Sequence, residues 1–298
     1  MKLVTFTHRG RTRLGIVHSD KKEVIDLSVA APKLPTDMTA LVASGDRGLK
    51  ALETASRTRK KGARLPLSRV TLRAPVPTPR RNVLCVGKNY YDHAHEFDKS
   101  GFNATKGDSA IPELPIIFTK APSSVIGPGV PIPGHLDPTK SVDYEVELGV
   151  VIGKGGRGIT KRDAFKHVYG YTIINDVTAR HLQADHKQWF LGKSIDGFCP
   201  MGPWLVTADE VGNVKKIRVE SKVNGEVRQS ALVKDLIFDI PTLIATLSKG
   251  MTLQPGDIIA TGTPAGVGIG FKPPKFLKKG DVVTLTIDRL GVLENTVV

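Results

Sequence analysis

The stretch Ser141-Val142-Asp143-Tyr144-Glu145-Val146-Glu147-Leu148-Gly149-Val150-Val151-Ile152 decides how the chain is read. It is apolar and β-branched, which predicts a strand over 143–153. Side chains two apart on a strand share a face. Glu145 and Glu147 therefore project together, and Tyr144, Val146 and Leu148 project to the other side. Two carboxylates about 7 Å apart along so apolar a strand are costly if both are buried and charged. A divalent cation removes that cost by taking both as hard oxygen ligands; an exposed strand face with ordinary acids is the plainer alternative. A third carboxylate bears on the choice. Gly170-Tyr171-Thr172-Ile173-Ile174-Asn175-Asp176-Val177 reads as a buried strand ending in Asp176, although an acid there can also simply start a helix. Three carboxylates with no cysteine or histidine nearby suit Mg²⁺ or Mn²⁺ and not zinc.

Outward from this segment the pattern is mostly strands. Strands are expected at 83–87, 115–119, 169–175, 201–206, 216–223, 257–261, 282–287 and 291–297, with short helices near 89–97, 161–167, 178–186 and 240–249. Many strands and few helices predict a β-rich mixed α/β fold, a barrel or sandwich and not a doubly wound sheet. Upstream, 2–7, 14–18 and 23–27 read as strands, and 38–56 as one helix with Leu41, Val42, Leu49 and Leu52 on one side. Pro75, Pro77 and Pro79 then force an extended chain. This divides the sequence into a small N-terminal α+β module, 1–80, and a main domain, 81–298. Phe97–Asp108 is polar and glycine-punctuated, long for a plain connection, and reads as a mobile loop over a site.

Further residues carry chemistry. In Gly87-Lys88-Asn89-Tyr90-Tyr91-Asp92-His93-Ala94-His95-Glu96, His93 and Glu96 stand three apart, so on a helix the carboxylate can orient the imidazole. That pair can serve as a general base, or be a plain surface helix. Lys193, among Trp189, Phe190, Gly192 and Phe198, can meet a developing oxyanion. Thr261-Gly262-Thr263-Pro264-Ala265-Gly266-Val267-Gly268 offers backbone N–H groups and hydroxyls suited to a ligand carboxylate or phosphate, or is a turn that needs glycine. Gly153-Lys154-Gly155-Gly156-Arg157-Gly158 imitates a dinucleotide fingerprint. It is rejected because the next helix starts after the glycines, at Thr160, and is too short for a crossover. The strand before it also bears two acids.

Composition sets outer limits. The chain has 298 residues, 40% hydrophobic and 24% charged, an ordinary globular balance. With 2 cysteines, Cys85 and Cys199, a disulfide scaffold is excluded and a reducing, cytoplasmic setting is expected. No apolar run approaches the roughly 20 residues of a membrane helix, and the N-terminus alternates like a strand with no apolar signal core. The net charge of +14 is concentrated: eleven basic residues lie between Arg47 and Arg81 against the single acid Glu53. A solvated face explains this; a polyanion patch would interleave aromatics, and none occurs between Phe6 and Tyr90.

Taken together, these segments resemble the fumarylacetoacetate hydrolase superfamily. The resemblance covers about 82–298 and rests on G-K-N-Y-x-x-H-A-x-E, D-Y-E-V-E-L, I-N-D-V-T-A-R, L-G-K-S-x-D-x-F-x-P-x-G-P and T-G-T-P-x-G-V-G in that order. The chain is similar to the shorter members, and Phe271–Asp281 resembles the branch containing the animal fumarylacetoacetate hydrolase domain 2 proteins. The resemblance implies a mixed β-sandwich roll, usually a homodimer, acting on a small 2-oxo acid and using neither nucleic acid nor membrane. It implies Glu145, Glu147 and Asp176 as ligands of Mg²⁺ or Mn²⁺, His93 and Glu96 as a catalytic dyad on a lid helix, Lys193 as the catalytic lysine, and Gln188 and Thr263 as substrate contacts. The expected activity is hydrolytic cleavage of the C–C bond of 2,4-dioxo acids of the acylpyruvate or fumarylpyruvate type. The alternative is an oxaloacetate tautomerase or decarboxylase, or a 2-hydroxyhepta-2,4-diene-1,7-dioate isomerase, with the same site. A reading from another class is polyanion binding through the basic segment 57–81.

Overall fold

The computed structural model describes residues 1–18, 22–102 and 110–298. The N-terminal strands β1 (Lys2–His8), β2 (Arg11–Val17) and β3 (Glu23–Asp26) form an antiparallel meander, followed by helices α1 (Met38–Ala43) and α2 (Gly45–Ser56) and strand β4 (Arg64–Pro66). The single helix expected over 38–56 is therefore two. Gly45 adopts φ +55°, a left-handed conformation that glycine accepts at no steric cost, and the chain restarts there. Leu41, Val42 and Leu52 are buried as the pattern requires, while Leu49 is half-buried.

The main part contributes β5 (Val83–Gly87), α3 (Tyr91–Lys99), β6 (Ile116–Lys120), β7 (Val146–Ile152), β8 (Val168–Asn175), α4 (Arg180–Asp185), α5 (Phe190–Lys193) and β9 (Cys199–Thr207). Then come β10 (Arg218–Val223), β11 (Glu226–Leu232), α6 (Ile240–Ser248), β12 (Ile258–Ala260), β13 (Val282–Ile287) and β14 (Gly291–Thr296). The large sheet has 12 strands, with the main order β4-β3-β2-β1-β9-β8-β7-β12-β5-β6. Through the β1–β9 pairing, with Leu3 opposite Leu205, the N-terminal strands continue the same sheet as the main part. Ala74 and Val76 of the proline-rich connection are buried beneath it. A second sheet, β11-β10-β13-β14, packs its apolar face on the middle of the first: Val219, Leu285 and Leu293 join one buried cluster with Val146, Leu148 and Ile173. This is the β-rich mixed architecture expected from the strand pattern.

Three local differences matter. First, the strand expected over 143–153 is interrupted at Tyr144-Glu145. A short strand, Val142–Asp143, pairs with Thr178–Ala179, and β7 begins only at Val146. The Asp143 carboxylate accepts the N–H groups of Tyr144, Gly268 and Ile269, which kinks the chain. The Glu145 N–H is satisfied by the Asn175 side chain instead of a ladder partner, at 3.0 Å. Second, β11 has no counterpart in the sequence reading. It forms a hairpin with β10 over Asn224-Gly225, both at positive φ (52° and 83°), the Asn-Gly two-residue turn. Third, 161–167 is only a 3₁₀ turn at Ala164–His167. The Gly153–Gly158 run joins β7 to β8, which pair antiparallel, so no βαβ crossover follows it and the dinucleotide reading is excluded by topology.

The connectivity gathers chemistry at one end of the large sheet. β5 and β12 run parallel and both leave the sheet at that end. β7 runs antiparallel to β12 and β8 antiparallel to β7, so β7 enters there and β8 exits there.

Candidate active site

Asp143, Glu145, Glu147 and Asp176 are all buried, with at most 4% exposure. They meet three cations that are at most 2% exposed: Arg180 opening α4, Lys193 ending α5, and Lys120, the last residue of β6, whose side chain reaches Asp176. Lys193 Nζ donates to Glu145 Oε2 at 2.8 Å and to Asp176 Oδ2 at 2.7 Å. Lys120 Nζ donates to the other oxygen of Asp176 at 2.6 Å and to the carbonyl of Val177 at 2.9 Å. Arg180 bridges Asp143, at 2.8 Å through Nε, and Glu145, at 2.6 Å through Nη2. Glu147 stands apart. Among the described residues it has no ion pair and accepts one hydrogen bond, from the Gly262 N–H at 2.9 Å.

These environments split the carboxylates. Burial would raise the Glu145 pKa, but the Lys193 ammonium and the Arg180 guanidinium outweigh it and hold the group well below the usual range. Burial raises the Glu147 pKa, and the charges on Asp176 and Glu145 raise it further. Burial alone would lower the Lys193 pKa; Asp176 and Glu145 reverse that and keep it an ammonium.

The residues present fit a hard divalent cation. One oxygen from each of Glu145, Glu147 and Asp176 can be chosen so that all lie within 4.8 Å of one another. The donor set is all oxygen, and among the described residues Glu147 is the carboxylate that the three buried cations leave without an ion pair.

The dyad opens on the same space. His93 Nδ1 lies 3.1 Å from Glu96 Oε2, and Glu96 Oε1 accepts the Gly266 N–H at 2.9 Å. Gly270 lies so close to the Glu96 carboxylate that a Cβ there would overlap it. His93, Glu145, Glu147, Lys193 and Thr263 line one small cavity of about 10 Å³, room for roughly one water. Trp189, Phe97 and Phe118 close its apolar side, and a Cβ at Gly87 would collide with the Trp189 indole.

Several sequence expectations move. The glycine-rich turn does present N–H groups to carboxylates, but to the protein's own: Gly262 to Glu147, Gly266 to Glu96 and Gly268 to Asp143. Thr263 lines the cavity, yet its hydroxyl donates to Val146 O at 3.0 Å and accepts from Gln229 at 2.7 Å. Gln188 is exposed and outside the cavity wall, because Lys187 at φ +58° turns the chain away. The glutamine in the wall is Gln183, one helical turn after Arg180 and hydrogen-bonded to it at 3.2 Å. Of the loop expected at 97–108, α3 takes residues up to Lys99, and 103–109 lie outside the described residues. In the basic segment, Arg81 pairs with Asp257 at 2.9 Å and Arg64 with Glu23 at 3.3 Å, whereas Arg57, Arg59 and Lys61 are exposed. Lys120, Asp143, Arg180 and Gln183 were missing from the sequence-derived set. Only Asp143 and Arg180 lay inside a motif already singled out, D-Y-E-V-E-L and I-N-D-V-T-A-R.

Residues 82–298 match the family described as fumarylacetoacetate (FAA) hydrolase, C-terminal. The chain belongs to this family. Its similarity to individual members extends over its whole length. It is 47% identical to oxaloacetate tautomerase YisK of Bacillus subtilis, covering 100% of both chains. It is 43% identical to the mitochondrial oxaloacetate tautomerase FAHD2A of Bos taurus, covering 100% of this chain and 92% of that one. Among solved structures it resembles maleylpyruvate hydrolase from Sphingobium sp. SYK-6, in complex with manganese(II) and pyruvate. That likeness has a TM-score of 0.79 and 34% identity, over 100% of this chain and 99% of that one. Members of one family thus carry out different reactions on small organic acids. Among the described residues, no helix is long and apolar enough to cross a membrane.

Proposed function

We propose that this protein is a divalent-metal-dependent tautomerase of 2-oxo acids, acting on oxaloacetate. The observation that carries the reading is that His93, held by Glu96, lines the same small cavity as Glu145 and Glu147, whose carboxylates cluster with that of Asp176. The full-length similarity to two oxaloacetate tautomerases supports this substrate over a dioxo acid.

Mg²⁺ or Mn²⁺ held by Glu145, Glu147 and Asp176 would supply Lewis-acid polarisation of the 2-oxo group. The remaining work falls to the chain. With Nδ1 engaged by Glu96, Nε2 of His93 is the ring nitrogen left to carry a proton. It takes the proton from C3; the C–H electron pair becomes the C2=C3 bond, and the oxygen on C2 acquires a proton. Lys193, kept charged by its carboxylates, meets the negative charge that develops on that oxygen. Arg180 and Gln183 in the cavity wall suit a substrate carboxylate. Trp189, Phe97 and Phe118 give the cavity an apolar side that limits its space for water.

C–C hydrolysis of an acylpyruvate is the second reading, favoured by the fold shared with maleylpyruvate hydrolase and by a dyad able to activate water. Solvent deuterium entering C3 of oxaloacetate, followed by proton NMR, tests the first. Exchange should accelerate with wild-type protein and Mn²⁺ and fall back in His93→Ala. Exchange no faster than in buffer with Mn²⁺ would overturn the proposal.

A further inference from the structure

The strand segment that carries Glu145 has a second cavity behind it. Tyr144, the residue before Glu145, lines this space of about 690 Å³. That volume lies within the roughly 300–1,000 Å³ of small-molecule sites. The floor is apolar, from Val142, Leu277, Val297 and the Tyr144 ring. The rim carries Lys140, Lys275, Lys278 and Lys279, and Arg228 stands in the wall.

Local acids offset these cations only in part. Asp281 is on the rim and keeps its charge, its two oxygens accepting from the Asn224 side chain and the Lys278 N–H, against four lysines and Arg228. Glu226 serves both Arg228, at 3.0 Å, and Lys275, at 3.6 Å. Lys140, Lys278 and Lys279 have no ion pair among the described residues. The Arg228 side chain is only 10% exposed, stacks on Phe271 at 5.0 Å, and leaves Nε and Nη1 with no acceptor. A guanidinium and several ammonium groups around an apolar floor form a site for a phosphate ester. Inorganic phosphate would leave the floor unfilled.

The cavity also reaches the dyad through hydrogen bonds. The Tyr144 hydroxyl donates to Gly266 O at 2.9 Å, and the Gly266 N–H donates to Glu96 Oε1 at 2.9 Å. We propose that this cavity binds a phosphorylated small molecule with an apolar body, and that its occupancy is transmitted to Glu96 through Tyr144 and Gly266.

The test is calorimetric titration of the metal-free full chain with ADP, inorganic pyrophosphate and adenosine, at low and high salt. ADP should bind once per chain and more tightly than pyrophosphate, adenosine should not bind, and salt should weaken ADP. The double variant Lys278→Glu/Lys279→Glu, on the exposed rim, should weaken ADP by about tenfold or more at unchanged melting temperature. Glu147→Gln should leave ADP affinity unchanged, and saturating ADP should alter turnover of the wild type but not of the rim variant. Absence of ADP binding, or binding indifferent to the rim variant, overturns the site. Loss of ADP binding in Glu147→Gln would place the ligand in the first cavity and overturn it too. Conversion of a wild-type dimer to monomers by the rim variant would make the cavity an interface between copies. Turnover indifferent to bound ADP refutes the coupling.

Discussion

Lys193→Met is the most informative perturbation of the charge cluster. The substitution keeps length and apolar bulk but removes an ammonium that is 2% exposed and bound to two carboxylates at 2.7–2.8 Å. Breaking a buried pair in this way typically costs about 3–5 kcal/mol, because the partner is left charged and uncompensated. Glu145 keeps Arg180 and Asp176 keeps Lys120, each at 2.6 Å, so the lower end, about 3 kcal/mol, is expected. For a chain of this size that is a fall of about 5 °C in melting temperature. The sign with pH follows from Glu145. Its folded pKa is depressed below the ordinary 4.5, so the stability it contributes is fully present above pH 4.5 and lost as pH falls through the folded value. The gap between wild type and variant should therefore be widest near neutral pH and narrow in acid. Added Mn²⁺ should raise the melting temperature of the variant more than that of the wild type, since in the wild type Lys193 competes for two of the proposed ligands. Thermal unfolding between pH 2 and pH 8, with and without Mn²⁺, spans the interval from the ordinary 4.5 down to the folded value of about 2 and measures all of this. A neutral-pH loss below about 2 °C, or an equal Mn²⁺ effect in both proteins, would refute the reasoning.

Two other outcomes follow from the same geometry. His93→Ala and Glu96→Ala should each lower kcat on oxaloacetate by about 10²-fold or more, and the double variant should be little worse than either, because Glu96 acts through the imidazole; additive losses in steady-state assays would contradict that. The Glu147 pKa is raised above its ordinary 4.5 by burial and by Asp176 and Glu145, so a bound cation competes with a proton there and binding should release more protons as pH falls toward 4.5. Calorimetry in buffers of different ionisation heat reads the release directly, and a release that does not grow as pH is lowered would mean that Glu147 is not a ligand.

Much of this was legible in the sequence, for identifiable reasons. Strands with a strong apolar pattern, such as 83–87 and 169–175, lie where the pattern puts them because both faces are buried. The helix bearing His93 and Glu96 has the spacing that brings the two side chains together. What periodicity could not supply was the long-range pairing. Lys120 ends an edge strand 56 residues before Asp176, and nothing local marks it as a partner. The kink at Tyr144-Glu145 depends on N–H groups from residues 268 and 269, 125 and 126 positions away from Asp143. The polar strand Glu226–Leu232 was hidden because its outward residues mask the buried Gln229, although the Asn224-Gly225 turn before it was readable. That Gln183 lines the cavity while Gln188 is exposed follows a left-handed Lys187, a conformation that no composition signal announces.

The central claim is that the cavity moves a proton and does not cleave carbon–carbon bonds. One preparation, loaded with Mn²⁺, should be assayed side by side for two reactions. Enol-to-keto conversion of oxaloacetate is followed by loss of the enol absorbance, and cleavage of an acylpyruvate by the appearance of pyruvate. A tautomerase should show fast enol loss that disappears in His93→Ala, with acylpyruvate turnover slower by orders of magnitude. Pyruvate release from the acylpyruvate at a rate equal to or above the oxaloacetate interconversion would contradict it.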